Sequence, residues 1–186
     1  MKMTFLMAAI FSVINCFPQR DQSQSSFGKE MAAIMQHMKE YTIAIAKQMP
    51  EDHYEFRPSN DDTVRTFGEQ LKHLIYVNNQ QADYLLRARP FDVQELIRNL
   101  EAYEEIPMGK AEIIEKISGS YDKLIKRINE MTDVDFDTQY EIPFLKGSKS
   151  LRVMVMFVRD HNTHHRAQLV SYLRMNNIKP AAYRPF

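Results

Sequence analysis

The chain has 186 residues, 44% hydrophobic and 26% charged, with 24 Lys and Arg balanced by 24 Asp and Glu. That length supports one domain with a full core, and the charge balance leaves no field to gather polyanions, which argues against a nucleic-acid partner. A single Cys excludes an internal disulfide framework and any multi-cysteine zinc site, so a bound metal would have to use His, Asp or Glu.

Residues 1–17 place Lys2 ahead of an uncharged run, and a polar stretch over residues 18–25 follows abruptly. The run is shorter than the roughly 20 residues that span a bilayer, so it reads as an export signal rather than a permanent membrane helix. On that reading the mature protein is periplasmic or secreted and has no integral membrane span. Two other readings stand beside it. Val13-Ile14-Asn15-Cys16 has the outline of a lipobox that would anchor a lipoprotein at Cys16, with Asn15 against it, since small residues are usual there. An amphipathic helix docked on the domain would leave the protein cytoplasmic. The domain itself is read as 26–186, after a polar linker over 18–25.

Few glycines and long stretches rich in Leu, Ile, Met, Lys and Glu favour helix over sheet. From Phe27 to about Gln48, apolar residues recur at Met31, Ile34, Met35, Met38, Tyr41 and Ile45, the spacing of one helix face, and Pro50 ends the run. After an irregular stretch, Thr66-Phe67-Gly68-Glu69 has the form of a capping box and predicts a second helix running to about Arg89, before Pro90. Residues 91–109 read as a crossover with one short helix near Val93 to Ala102. A third helix is predicted from Lys110 to about Thr132, burying Ile113, Ile117, Tyr121, Leu124 and Ile128. A polar segment with extended residues near Tyr140 to Phe144 and a turn at Gly147 leads to a fourth helix, about Ser150 to Asn176. Four helices joined with two long crossovers, and no sustained strand alternation, predict an all-α four-helix bundle. No phosphate-binding glycine loop and no internal repeat occurs.

Three of the six histidines lie within Asp160 to Gln168. At about 100° per residue, His161, His165, Gln168 and Tyr172 fall on one stripe with Met154 and Phe157, with His164 at its border and Asn162 and Arg166 pointing away. Two imidazoles one turn apart can chelate one ion, because side chains at i and i+4 lean over the same spot. Asn162 stands where the zinc proteases have their Glu, so that chemistry fails, and neither His73 nor His161 has the Glu three residues ahead that a di-iron bundle needs. A third ligand must come from another helix. His73, among Leu71, Lys72, Leu74 and Ile75, is the candidate; the competing account is a core His bonded to a backbone carbonyl. His37 beside the first helix's apolar face and His53 in a loop join neither pattern. Glu69, one turn before His73, can orient it or act as a base, although capping explains it without function. Asp160 and His164 are read mainly as exposed helix residues that can reach the surroundings of the ligands.

The stretch Thr66-Phe67-Gly68-Glu69-Gln70-Leu71-Lys72-His73-Leu74 resembles the second-helix motif of DinB-like proteins. His161-Asn162-Thr163-His164-His165-Arg166-Ala167-Gln168 resembles their H-x-x-x-H-R-G-Q motif, and Tyr172 to Pro180 resembles the ending of their fourth helix. The resemblance covers roughly residues 26–186. It implies an up-down-down-up bundle with a divalent metal bound by His73, His161 and His165. Ala167 replaces the family's usual Gly; as a better helix former it should spare the ligands while narrowing a close helix contact.

Three neutral imidazoles would leave an ion's charge uncompensated and a coordination position open, a geometry suited to activating a water or thiol nucleophile. Imidazole ligands suit zinc, nickel, copper or iron, and affinity order alone does not choose among them; zinc is placed first and nickel second. The expected function is therefore a metal-dependent enzyme. The family resemblance implies two reaction types, hydrolysis or transfer of a low-molecular-weight thiol, and export would tilt the choice toward hydrolysis. Glu69, His164, Gln168 and Tyr172 are the residues expected around the ligands, and the substrate is a small molecule of unassigned class. The alternative is a helical bundle that binds a metal or ligand without turnover, and a homodimer through an exposed helix face is compatible with the sequence.

Overall fold

The computed structural model describes residues 24–142 and 147–183. The export-signal, lipobox and docked-helix readings of residues 1–17 lie outside them. Six helices are formed: α1 (Ser26–Gln48), α2 (Phe67–Asp83), α3 (Val93–Glu105), α4 (Lys110–Asn129), α5 (Asp133–Asp137) and α6 (Leu151–Met175). One short antiparallel pair, β1 (Gln139–Glu141) and β2 (Ser148–Ser150), precedes α6 with Tyr140 opposite Lys149.

α1, α2, α4 and α6 make the bundle. Its main packing pairs are α1 with α4 and α6, and α2 with α4 and α6, so α1 and α2 occupy opposite corners. Hydrogen bonds between the helices fix their directions. Gln24 at the start of α1 reaches Asn129 at the end of α4, and Lys110 at the start of α4 donates to the Lys47 carbonyl at the end of α1, so these two run antiparallel. α2 runs with α4, as Asn78 meets Ser120 and Asp83 meets Lys123, and against α6, as Gln70 meets His165 and Asn78 meets Asn162. The end of α1 lies beside the end of α6, where Gln48 bonds the backbone of Lys179 and Ala181. The topology is up-down-down-up, as the family resemblance implied.

The helix ends follow from local chemistry. Thr66 and Glu69 form the predicted capping box at the start of α2, each side chain accepting from the other residue's amide. Asp92 accepts from the amides of Gln94 and Glu95 to start α3. The last carbonyls of α1 are satisfied from a distance by Tyr54, which donates to Ala46, and by Lys110, which donates to Lys47 and Met49. At Gly28 a Cβ would stand 3.1 Å from the Ile128 carbonyl and from the Phe136 ring, so this glycine lets α1 approach α4 and α5 closely.

Three helix ends differ from the sequence expectation, and that of α3 is Glu105 rather than about Ala102. α2 stops at Asp83 rather than near Arg89, and a 3₁₀ turn over Leu85–Arg87 follows, closed by Ala88 at φ 50°. The tightened turn lets the adjacent Leu85 and Leu86 both enter the core, and Arg127 donates to the Leu86 carbonyl. The third predicted helix, α4, ends at Asn129 rather than Thr132, because Thr132 caps a further helix, α5, through a second capping box with Asp135. α5 was not expected, and it delivers Phe136 fully into the core. No helix among the described residues is long and apolar enough to cross a membrane.

Candidate metal centre

The α2/α6 seam carries the histidines. His73 lies early in α2, held at depth by Leu71, Leu74 and Ile75, all of them buried. His161 and His165 are one turn apart at the middle of α6, and the antiparallel course of the two helices brings them opposite His73. The ring centroids of His73 and His165 are 4.2 Å apart, those of His161 and His165 4.5 Å, and those of His73 and His161 5.3 Å. One nitrogen from each ring lies within 4.8 Å of the other two, an arrangement that can hold a metal ion. The fold thus brings His73, His161 and His165 together at one point.

The outer nitrogens are committed. His73 Nδ1 is 2.9 Å from Glu104 Oε1, and His165 Nδ1 is 2.8 Å from Gln70 Oε1. Both partners accept, so each Nδ1 carries its proton and each Nε2 presents a lone pair. His73 Nε2 faces His161 Nε2 at 3.3 Å. Two nitrogens held at ~2.0–2.1 Å by one tetrahedral zinc would stand about 3.3 Å apart. The Nδ1 of His161 is buried and has no hydrogen-bond partner among the described residues. Whichever nitrogen of His161 carries the proton, protein groups alone leave this imidazole incompletely satisfied, so the donor set fits a cation.

Burial keeps the rings of His161 and His165 neutral. Desolvation, helped by the neighbouring His73, lowers the His161 pKa to about 4 and that of His165 to about 2. Glu104 stays ionised: burial pushes its carboxyl up, but hydrogen bonds from His73 and Arg65 outweigh that and hold it below the usual carboxylate range. Arg65 Nε is 2.9 Å from both Glu104 oxygens. Lys72 is the clamp for this corner, since its ammonium bonds the Glu104 and Ile106 carbonyls at the end of α3 and so ties that end to α2.

The other expected site residues sit around the triad unequally. Glu69 is spent on the capping box and on Arg57, 3.6 Å away, and points its oxygens at the helix start. Tyr172 is buried and donates to the Arg65 carbonyl at 2.9 Å, which fixes the segment ahead of α2. His164 is exposed; its ring stands edge-on to His165 at 5.1 Å, and its Nε2 is 3.3 Å from Gln168 Nε2. His37 and His53 are exposed and lie outside the cluster.

Asn162 and Arg166 correct the helical phase. Both were expected to point outward, and both are buried. α6 packs against α1 as well as α2, so its interior face is broader than the histidine stripe. Asn162 bonds the side chain of Asn78 and the Val158 carbonyl, while the Arg166 guanidinium lies over the Tyr41 ring of α1 at 5.5 Å.

Glu104, Gln70 and Arg65 were missed in the sequence. Gln70 had a local signal, lying three residues before His73 on the same helix face. Glu104 had none, because its place over His73 depends on how the crossover folds back.

A family model described as the DinB superfamily matches residues 35–169. A solved structure of similar fold is the crystal structure of a DinB-like protein from Bacillus subtilis, with a TM-score of 0.64 and 14% identity, covering 83% of this chain and 96% of that one. Among curated proteins none matches.

Proposed function

Since this chain belongs to the DinB superfamily, we propose that it is a metal-dependent enzyme in which His73, His161 and His165 bind one divalent ion, zinc first and nickel second. The observation that carries this reading is the pair of facing Nε2 atoms, 3.3 Å apart, whose outer partners leave a lone pair aimed inward on His73. When bound, the ion would supply Lewis acidity and an open position at which a water or thiol becomes a nucleophile near neutral pH.

The chain's own residues divide the remaining work. Glu104 orients His73 and raises its basicity as a ligand, and Arg65 holds Glu104 in place. Gln70 fixes the ring of His165. Among the four residues expected nearby, His164 and Gln168 contact each other beside His165, whereas Glu69 and Tyr172 are engaged in structural hydrogen bonds. Hydrolysis and thiol transfer are both compatible with this set.

The test is elemental analysis of the purified protein beside His161→Ala. We expect about one ion per chain in the wild type, loss of the ion in the variant, and unchanged helix content by circular dichroism. A variant that retains full occupancy overturns the assignment. A screen of ester, amide and thiol-conjugation substrates with the loaded protein then separates an enzyme from a metal-binding bundle.

A further inference from the structure

Beside the triad lies a pocket of about 220 Å³, bounded by α2, α3, α6 and the loop between α2 and α3. His73 and His161 form part of its wall. The rest is largely apolar: Val77 and Leu85 from the α2 side, Phe91 from the loop, Leu96 and Leu100 from α3, and Phe157 from α6. Among the described residues, no Asp, Glu, Lys or Arg lines it.

α3 shows that this space is built rather than left over. Its apolar residues Val93, Leu96 and Leu100 follow helical spacing, so the helix has a formed hydrophobic face. Those three residues line the pocket, and Leu100 alone among the described residues of α3 is buried. An apolar helix face is normally pressed against protein; here it overhangs open volume, and Lys72 and Glu104 pin the helix end in that position. Protein interiors seldom leave voids much larger than a water molecule, and an apolar cavity of ~150 Å³ is large enough to hold benzene.

We propose that the substrate is a small molecule whose uncharged apolar body, one aromatic ring or a short hydrocarbon chain, fills this pocket and whose reactive group reaches His73 and His161. The proposal rests on the metal-centre reading for the reactive end and on the pocket alone for the apolar end. A charged body is disfavoured because it would lose its hydration against described wall residues that offer no ionic partner. The pocket selects by size and apolar character, and the imidazole end supplies the fixed point of attachment.

Two probes test the two ends separately. With the zinc-loaded full chain, calorimetry compares acetohydroxamate with benzohydroxamate, which share a metal-chelating head and differ in the ring. We expect the ring to tighten binding by roughly tenfold or more. Leu100→Arg should abolish that advantage while zinc content and acetohydroxamate affinity stay at the wild-type level. Leu96→Trp, which fills the pocket without adding charge, should do the same and covers the case in which Leu100→Arg does not fold. With the metal-free protein, ligand-observed NMR follows n-butylbenzene, which has no chelating group; it should bind the wild type and neither variant. Equal affinity for the two hydroxamates on a zinc-loaded chain overturns the pocket and leaves the metal centre standing. Butylbenzene binding by a chain that takes up neither zinc nor hydroxamate overturns the metal centre, and with it the claim that the pocket serves those imidazoles.

Discussion

Glu104 determines how His73 meets an ion, because a carboxylate on the outer nitrogen fixes both the tautomer and the ring direction. Losing such a partner costs ~10–100-fold in metal affinity, so Glu104→Ala should weaken zinc binding by about that factor in a chelator competition. Glu104→Gln keeps an acceptor for the Nδ1 proton while losing the charge that Arg65 grips, and should fall between Ala and wild type. Wild-type affinity in Glu104→Ala would remove Glu104 from the site. The imidazoles also make a prediction in the metal-free protein. The His161 pKa falls from 6.5 to about 4 on folding and that of His165 to about 2, chiefly by desolvation, so between these values and pH 6.5 the unfolded chain binds more protons than the native one. Their contribution to stability is therefore complete above pH 6.5 and is lost as the pH falls, toward 4 for His161 and toward 2 for His165. For His161 the loss is about 3 kcal/mol at most. Urea unfolding of the metal-free protein should show a falling midpoint across this window, with a shallower fall in His161→Gln. An equal slope in the two proteins would count against a buried neutral His161.

At the scale of the element, α2 has to be both stable and correctly phased. The Thr66/Glu69 box satisfies the amides at its start, and His73 stands beyond the first turn, where the helix is held by Leu71, Leu74 and Ile75 instead. Thr66→Ala should therefore cost ~1 kcal/mol in stability, within the usual range for a lost cap, with little change in metal affinity. Glu69→Gln preserves the box geometry and separates the cap from a catalytic base. Turnover close to wild type in Glu69→Gln supports the cap alone, and a loss of turnover at unchanged stability would restore Glu69 as a base. The same helix shows what could be read in advance. The box, the apolar spacing and His73 are local patterns, visible because helix periodicity ties sequence position to direction. The early end of α2 was hidden, since the choice of a 3₁₀ turn comes from burying both Leu85 and Leu86. On α6 the histidine stripe was legible, but Asn162 and Arg166 were misjudged because helical phase does not reveal how many neighbours a helix has.

At the scale of the whole molecule, the centre joins segments that are remote in sequence: His73 and His161 are 88 positions apart, and Glu104 comes from the crossover between α2 and α4. This long-range joining is why Glu104 was invisible in the sequence, and it also sets what an ion would do to stability. The described structure packs α2 against α4 and α6 through a continuous core, which predicts a bundle that folds without the ion. An ion bound only by the native state adds to stability by mass action, about 2.7 kcal/mol when its free concentration is a hundred times its dissociation constant. For a domain of this size ~1 kcal/mol moves the melting temperature by roughly 2–4 °C. Stripping the metal with a chelator should thus lower Tm by on the order of 5–10 °C at that concentration, leave a cooperative transition, and be reversed by added zinc. His161→Ala should melt near the stripped wild type and respond to neither chelator nor zinc. If chelation instead abolished the cooperative transition, the ion would be a requirement for folding, and the centre a structural clasp rather than an open site on a self-sufficient bundle.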